Sequence, residues 1–222
     1  MLVKKFNQSI RALVACTLAW CAVPAQANGF EDFEDAELID QIAGSVARGY
    51  GRMHGYQVEF KLIGKEVVHQ SPLLVKYNAP LKRCTFFIST QETTWHSFEQ
   101  YLLFFDGLPK QVVYEAFFAH ESGHCVQVKE QIDFGPKQRR LREELYADVF
   151  ALSHVQRYFP KYRKAFQEGQ LRMRRVALGV QRDYDFYKEL VKLHYSPSLQ
   201  TALVVKNPQD RAFSIAKAVD LL

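Results

Sequence analysis

The stretch FFAHESGHCVQV, residues 117–128, places two histidines four positions apart and a glutamate directly after the first one. If Pro109 opens a helix, His120 and His124 lie on one face of it and point in the same direction. A single divalent ion can then bridge both imidazoles. The alternative is a structural helix that happens to contain two histidines, so the rest of the chain has to distinguish the two interpretations.

Glu121 gives this pattern a chemical use. Zinc binds imidazole nitrogen at about 2.0 to 2.1 Å, and its catalytic sites combine three protein ligands with a position left for water. A carboxylate beside such a site can take a proton from that water and pass it to a departing amine. HESGH therefore resembles a hydrolytic centre that lacks one ligand.

A candidate for the missing ligand follows in REELYADVFAL, residues 142–152, where Glu144 lies 20 residues after His124. The Gly-Pro turn between the two stretches predicts a second helix that returns antiparallel to the first, which would bring Glu144 to the metal. Asp148 lies one turn farther on the same face. It can accept the free N–H of a ligating histidine and so fix the orientation of that ring.

Two alternative ligand sets fit the sequence less well. Glu143 stands about 100° round the helix from Glu144 and has no aspartate four residues later. The pattern HExxHxxGxxH would need a glycine and a histidine at positions where the chain has Gln127 and Glu130. Glu144 is therefore the predicted third ligand.

A HExxH helix followed by a helix with ExxxD resembles the gluzincin metallopeptidases, the thermolysin-like clan. The resemblance covers residues 120–148, about a seventh of the chain that follows residue 27. It implies one Zn²⁺ ion with His120, His124 and Glu144 as ligands. It further implies Glu121 as general base and acid, and Asp148 as the residue that orients a histidine.

The resemblance also implies a zincin-like α+β fold, in which a small twisted sheet packs on the metal-bearing helix and the C-terminal half is mainly helical. In such a fold an extended peptide pairs with the edge strand of the sheet. CTFFIST, residues 84–90, is the last strand before the helix and hence a candidate for that edge. A central strand, buried on both faces, explains the same residues equally well.

Hydrophobic periodicity independently predicts strands first and helices afterwards. Alternating or short apolar runs predict strands at 56–63, 73–77 and 84–90. Helical spacing predicts a first helix from residue 31 that ends near Tyr50, where glycines accumulate, and further helices at 94–105, 109–130, 138–158, 161–178, 181–194 and 207–221. Tyr195-Ser196-Pro197 is interpreted as a turn.

The first 27 residues are typical of a secretory signal peptide. Basic residues precede an apolar run at 12–23, and Ala25-Gln26-Ala27 offers a cleavage site. The alternatives are an uncleaved anchor, for which the run is shorter than the roughly 20 residues of a spanning helix, and a lipid anchor at Cys21. We therefore expect one metallopeptidase-like domain, residues 28–222, exported to a periplasm or secreted, without stable membrane insertion.

The net charge and the number of cysteines limit which classes of partner and which compartments fit this sequence. Cleavage after residue 27 lowers the net charge from +5 to +2, with 26 basic against 24 acidic residues, which gives no reason to expect a nucleic-acid partner. It leaves Cys84 and Cys125. In an oxidising compartment these two can form a disulfide, or Cys125 can be a small buried apolar residue.

Thermolysin-like enzymes also supply a histidine or tyrosine that stabilises the oxyanion, and no motif here corresponds to it. The candidates are His154, Tyr184, Tyr187 and His194, of which His194 is preferred as a second catalytic residue. Each of them can instead be a half-buried structural residue.

The sequence thus predicts an exported zinc metallopeptidase that hydrolyses bonds of a peptide or protein substrate with metal-activated water. One alternative is a non-catalytic module that is stabilised by zinc and binds a protein partner. Another is a zinc-dependent hydrolase of cell-wall peptides.

Overall fold

A first helical region, three strands and a longer series of helices make an α+β fold with a small three-stranded sheet, as the sequence predicts. The computed structural model describes residues 36–63, 72–89, 91, 99–136, 139–176 and 183–222, all within the compact unit Asp32–Leu222. The signal peptide predicted at residues 1–27 lies outside the described residues.

The strands are β1 (Gln57–Ile63), β2 (Leu73–Asn78) and β3 (Arg83–Ser89). The α-helices are α1 (Ala36–Ile42), α2 (Arg48–His54), α3 (Lys110–Lys129), α4 (Arg139–Tyr158), α5 (Arg163–Val176), α6 (Asp183–His194), α7 (Pro197–Leu203) and α8 (Pro208–Asp220). A π-helical segment, Ala43–Ala47, joins α1 to α2, and 3₁₀ turns lie at Leu103–Phe105 and Pro160–Tyr162.

The first helical region extends past the glycines that were expected to end it near Tyr50. It continues to His54 and stops at Gly55, whose φ of 71° is left-handed. Gly51 has a different purpose: a Cβ there would lie 2.8 Å from the carbonyl oxygen of Tyr56 and 2.8 Å from the Val58 side chain. This glycine lets the start of β1 pack directly against α2.

The strand order is β1-β3-β2, so CTFFIST is the central strand and not the edge. β3 pairs in parallel with β1 and antiparallel with β2, and Cys84 is opposite both Val58 and Tyr77. Its side chains are accordingly almost all buried. Among the described strands, β2 is the edge strand that faces the helix with the two histidines (Lys110–Lys129), because Leu74 and Val75 line the same cleft as those histidines.

Helices α3 and α4 form an antiparallel pair. α3 begins directly after Pro109, as expected, and its contacts with α4 run in opposite chain order: Gln127 bonds Glu143, whereas Glu115 bonds His154. The helices touch at Gly123, where a Cβ would lie 3.0 Å from that of Phe150. A glycine between the two histidines therefore lets the second helix approach the imidazoles closely.

The C-terminal helices pack on this pair, and one of them was not expected. Ser196 accepts a hydrogen bond from the N–H of Leu199, and Pro197 occupies the first turn, so the supposed turn is the start of α7. An N-cap serine followed by proline is a standard helix start. Among the described helices, none combines the length and the apolar character needed to cross a bilayer.

A disulfide joins the sheet to α3. Cys84 on β3 and Cys125 on α3 are bonded, with their Cα atoms 5.9 Å apart and a separation of 41 positions in the sequence. Both cysteines are fully buried. The disulfide fixes the residue directly after His124 to the centre of the sheet.

Removal of this bond is expected to destabilise the fold strongly. For a closed loop of this length, the loss of chain entropy in the unfolded state predicts that Cys84→Ala/Cys125→Ala lowers the free energy of unfolding by about 4 kcal/mol. Urea unfolding of the double variant and of the oxidised wild type measures the difference. Reduction of the wild type should lower its stability by a similar amount, and a loss below about 1 kcal/mol would contradict a stabilising role.

Candidate metal centre

Three potential ligands converge where α3 faces α4. One ligand atom from each of His120, His124 and Glu144 lies within 4.8 Å of the other two. Nε2 of His120 is 3.7 Å from Oε2 of Glu144, and Nε2 of His124 is 3.7 Å from Oε1 of the same carboxylate. The structure thus brings together the three residues that the sequence predicted as ligands.

The spacing of these atoms suits a small metal ion. Ligands at about 2.05 Å from a tetrahedral centre are roughly 3.3 Å from one another. The two observed separations of 3.7 Å, which end on different oxygens of Glu144, exceed that value by only a few tenths of an ångström. The imidazole planes of His120 and His124 are almost perpendicular, at 83°, with centroids 5.0 Å apart. Two imidazoles and a carboxylate are a donor set that several divalent metals accept.

Asp148 orients His120 as expected. Its Oδ1 lies 3.0 Å from Nδ1 of His120, and the aspartate is almost fully buried. With Nδ1–H donating to this carboxylate, the lone pair of Nε2 faces Glu144 and is available to a metal. Asp148 therefore lies where the sequence predicted it, at the ring nitrogen of His120 that does not face Glu144.

Arg174 on α5 holds Asp148 in turn. Its Nε and Nη2 donate to the two carboxylate oxygens at 2.9 and 2.8 Å, which is a bidentate pair. Nη2 also lies 3.6 Å from Oε2 of Glu144, and the guanidinium stacks over the ring of Phe186. Sequence reasoning missed this residue, since it lies 26 positions after Asp148 among several other basic residues and belongs to no motif.

The charges of this cluster shift its pKa values in opposite directions. Burial by itself would raise the pKa of Asp148, but the charge of Arg174 and the hydrogen bond from His120 hold it well below its usual range. Burial would lower the pKa of His120, and the bond to Asp148 raises it instead. Burial and the neighbouring His120 lower the pKa of His124 to about 4, so that this imidazole is neutral at pH 7.

Glu121 lies beside the three ligands and is 9% exposed. Burial, together with the charge of Glu144, raises its pKa to about 7, although His120 and Arg174 oppose that shift. Such a carboxyl can take up and release a proton near neutral pH. A carboxyl that is both buried and shifted in this way, in a cleft, is typical of a functional site.

The charged and ligating residues of this cluster line one cleft of about 480 Å³, namely His120, Glu121, His124, Glu144, Asp148 and Arg174. The volume is in the usual range for a ligand site. Its polar end is formed by the ligands, Glu121 and Arg174, and its walls are mostly apolar. The apolar wall residues are Pro72, Leu74, Val75, Tyr101, Phe105, Val113, Ala116, Phe117, Ala151, Phe166 and Met173.

Glu143, the competing third ligand, does not point at the histidines. Its Oε1 accepts from Nε2 of Gln127 at 3.3 Å and lies 3.6 Å from Nε of Arg139. The difference of 100° between adjacent helical positions thus separates the two glutamates as expected.

Of the four candidates for an oxyanion partner, the three whose side chains the structure describes do not line the cleft. His194 is almost fully buried at the end of α6 and does not line the cleft. His154 is bonded to Tyr50 and Glu115, and Tyr187 does not line the cleft either. The side chain of Tyr184 lies outside the described part of the structure. The preferred candidate, His194, is thus found in the core, because its position in the sequence does not indicate which side of its helix is buried; its catalytic role stays a prediction.

His194 instead makes stability depend on pH. Burial lowers its pKa to about 4, and neither ring nitrogen has a hydrogen-bond partner among the described residues. Nearby Asp148 raises this pKa slightly and Arg163 lowers it. As the pH falls below 6.5 the unfolded chain takes up a proton that the folded chain takes up only near pH 4, so stability is lost across this range.

We expect His194→Leu to reduce this acid sensitivity. Between pH 7 and pH 4 the wild type should lose about 3 kcal/mol more unfolding free energy than the variant, because leucine has no proton to take up. Urea unfolding at pH 7, 5.5 and 4 gives the two curves. Parallel curves would show that His194 is not the group responsible.

A comparison of the chain with protein-family models, with curated proteins and with solved structures found no match in any of the three.

Proposed function

We propose that this protein is a zinc-dependent peptidase. The observation that carries the proposal is the convergence of His120, His124 and Glu144 from two helices at one end of a cleft, with Glu121 beside them. The resemblance to gluzincin metallopeptidases agrees with this arrangement, since its ligand and orienting residues are the ones that meet.

The residues of the chain have distinct parts in the proposed hydrolysis. When bound, zinc supplies a Lewis acid that polarises the scissile carbonyl and lowers the pKa of the attacking water. Glu121 takes a proton from that water while the water oxygen bonds to the carbonyl carbon. As the carbon–nitrogen bond breaks, Glu121 delivers the proton to the leaving amine. Asp148 and Arg174 keep His120 oriented throughout.

An extended peptide would reach this centre along β2. This strand is one of the two edges of the sheet among the described strands, and its residues Leu74 and Val75 line the cleft. Pairing of a substrate with a strand edge depends on main-chain hydrogen bonds and gives affinity with modest sequence preference. The substrate edge is therefore assigned to β2 in place of CTFFIST.

Export is part of the proposal. The Cys84–Cys125 disulfide suits an oxidising compartment such as a periplasm or the exterior. This agrees with the signal peptide predicted at residues 1–27, and either compartment would supply peptide or protein substrates.

Glu121 argues for catalysis over a zinc-stabilised binding module. A purely structural zinc site is closed by four ligands, whereas this cluster brings together three among the described residues and adds a buried carboxyl. Hydrolysis of a protein and hydrolysis of a cell-wall peptide would use the same chemistry. The two substrates are therefore distinguished by which of them yields cleavage products.

Mass-spectrometric analysis of a diverse peptide library tests the proposal. We expect the zinc-loaded protein to cleave a subset of peptides, chelation to stop the cleavage, and added zinc to restore it. Digestion of cross-linked muropeptides in parallel separates cell-wall hydrolysis from general peptidase activity. A protein that binds one equivalent of zinc and cleaves neither pool would favour the binding module.

A further inference from the structure

Helix α5 runs along the cleft from its polar end to its apolar end. Phe166, Gln170, Met173 and Arg174 line the cleft from this helix. Their spacing places them on one face, and at 1.5 Å per residue Phe166 lies about 12 Å along the axis from Arg174. Since Arg174 contacts Glu144, the position of Phe166 marks the part of the cleft remote from the metal ligands.

The 3₁₀ turn Leu103–Phe105 is fastened to this helix. The ring of Phe105 stacks on that of Phe166, with centroids 5.2 Å apart and planes at 23°. One turn and two turns farther along α5, Gly169 and Arg172 meet the same segment. Phe105 also lines the cleft, and only 6% of it remains exposed.

Gly169 leaves room for the Phe105 ring. A Cβ at this position would lie 2.4 Å from Cδ1 and 2.8 Å from Cε1 of Phe105, and 3.0 Å from the carbonyl oxygen of Phe104. Glycine is unfavourable inside a helix, so a close approach of this kind is a good reason for its presence. Any larger residue would displace the ring from α5.

Arg172 holds the backbone of the same turn. Its Nε and Nη2 both donate to the carbonyl oxygen of Phe104, at 3.2 and 2.7 Å. The side chain is exposed, so the contact fixes the turn without burying the charge. Gly169 and Arg172 therefore determine where Phe105 sits in the cleft wall.

We infer that Phe105 sets the size of the apolar group that the cleft accepts, and that Gly169 and Arg172 are its positioning residues. The inference rests on the proposed function, in which a substrate occupies this cleft with its reacting bond at the metal ligands. The substrate then carries a large apolar group, aromatic or long aliphatic, that extends from the bond that is cleaved into the part of the cleft remote from the metal ligands.

A series of hydroxamates tests the inference. Acetohydroxamate, phenylacetohydroxamate and 2-naphthylacetohydroxamate share one metal-binding group and differ only in apolar size. Calorimetry on the zinc-loaded protein gives their affinities, and the contribution of the metal cancels in the ratios. We expect the phenyl compound to bind the wild type at least about tenfold more tightly than acetohydroxamate, as an apolar pocket of fitting size does.

The variants should change these ratios in opposite ways. Phe105→Ala should shift the naphthyl-to-phenyl ratio at least about fivefold towards the naphthyl compound, because the wall recedes. Gly169→Ala should remove most of the phenyl advantage and leave acetohydroxamate unchanged. Adding Phe105→Leu to Gly169→Ala should restore that advantage, because the smaller side chain removes the overlap with the new Cβ.

Gly49→Ala is the matched control. Gly49 is also helical, and a Cβ there meets nothing within 4 Å, so this variant should bind all three hydroxamates like the wild type. Unchanged ratios in both Phe105→Ala and Gly169→Ala would overturn the inference. A shift of equal size in Gly49→Ala would overturn it as well, since the effect would then be unspecific.

A measurement without metal separates this inference from the proposed function. N-phenyl-1-naphthylamine is uncharged and fluoresces in apolar surroundings. With metal-stripped protein, Phe105→Ala should change its affinity at least about threefold and Gly49→Ala should not. If acetohydroxamate fails to bind the zinc-treated wild type, the proposed function is wrong, and this second comparison still decides the part played by Phe105.

Discussion

Glu121→Gln is expected to lower the rate of peptide-bond hydrolysis by about 10²- to 10⁴-fold, the usual contribution of a general acid–base residue. The amide has nearly the shape of the carboxyl but cannot take a proton from water. Glu121 is not among the three converging ligands, so the variant should still bind one equivalent of zinc. Because the side chain is buried and its pKa is raised to about 7, a neutral replacement suits its surroundings.

Kinetics and metal analysis of the same preparation check this prediction. Glu168→Gln makes the same change at an exposed position of α5 and should leave the rate within about twofold of the wild type, as is usual for surface substitutions. A Glu121→Gln protein with at least a third of the wild-type rate would show that another group is the base. Loss of zinc binding in this variant would show that Glu121 helps to hold the metal, and the lower rate would then not identify it as the base.

Glu144→Ala is expected to weaken zinc binding by more than about 100-fold. Loss of an outer partner of a metal ligand alone weakens binding by about 10- to 100-fold, and Glu144 is the predicted ligand itself. Asp148→Asn should fall within that smaller range, because it weakens the bond that orients His120. Competition with a chromophoric chelator measures all of these affinities.

The adjacent glutamate is a close control. Glu143→Ala removes the same side chain one position earlier, where it contacts Gln127 and Arg139. Zinc affinity should stay within about twofold of the wild type, since no ligand or orienting residue is lost. Equal losses in Glu143→Ala and Glu144→Ala would contradict the assigned ligand set.

Much of the site was predictable because its residues lie close together in the sequence, on one helix and on the helix that follows it. Two residues four apart on a helix share a face, and an antiparallel neighbour can be anticipated from a Gly-Pro turn. His120, His124, Glu144 and Asp148 follow from these rules and converge in the structure. The three strands and the long helices follow similarly from hydrophobic period.

Strand order and burial were harder to predict, since both depend on the whole fold. The run CTFFIST shows only that a strand is apolar; whether it pairs on one side or two depends on where β1 and β2 lie. The same limitation applies to His194. Histidine is a common residue type in catalytic sites, but the sequence did not indicate that this one is buried in the core. Arg174 has a contact with Asp148 that no spacing rule indicates.

Local signals were also misread in two places. Ser196-Pro197 was interpreted as a turn although the pair caps a helix. The glycines after residue 48 were interpreted as helix breakers, yet Gly51 serves the contact with Tyr56 and Val58. A glycine in a helical pattern therefore has two explanations, and only the tertiary structure distinguishes them.

The helical hairpin of α3 and α4 has a consequence for how the chain folds. Its three candidate ligands span only 25 residues, from His120 to Glu144, and the loop that must close between His124 and Glu144 is short. Closing such a loop loses little chain entropy, and contacts this close in sequence form early. Zinc present during folding would therefore stabilise an early hairpin, and refolding would be faster with the ion than without it.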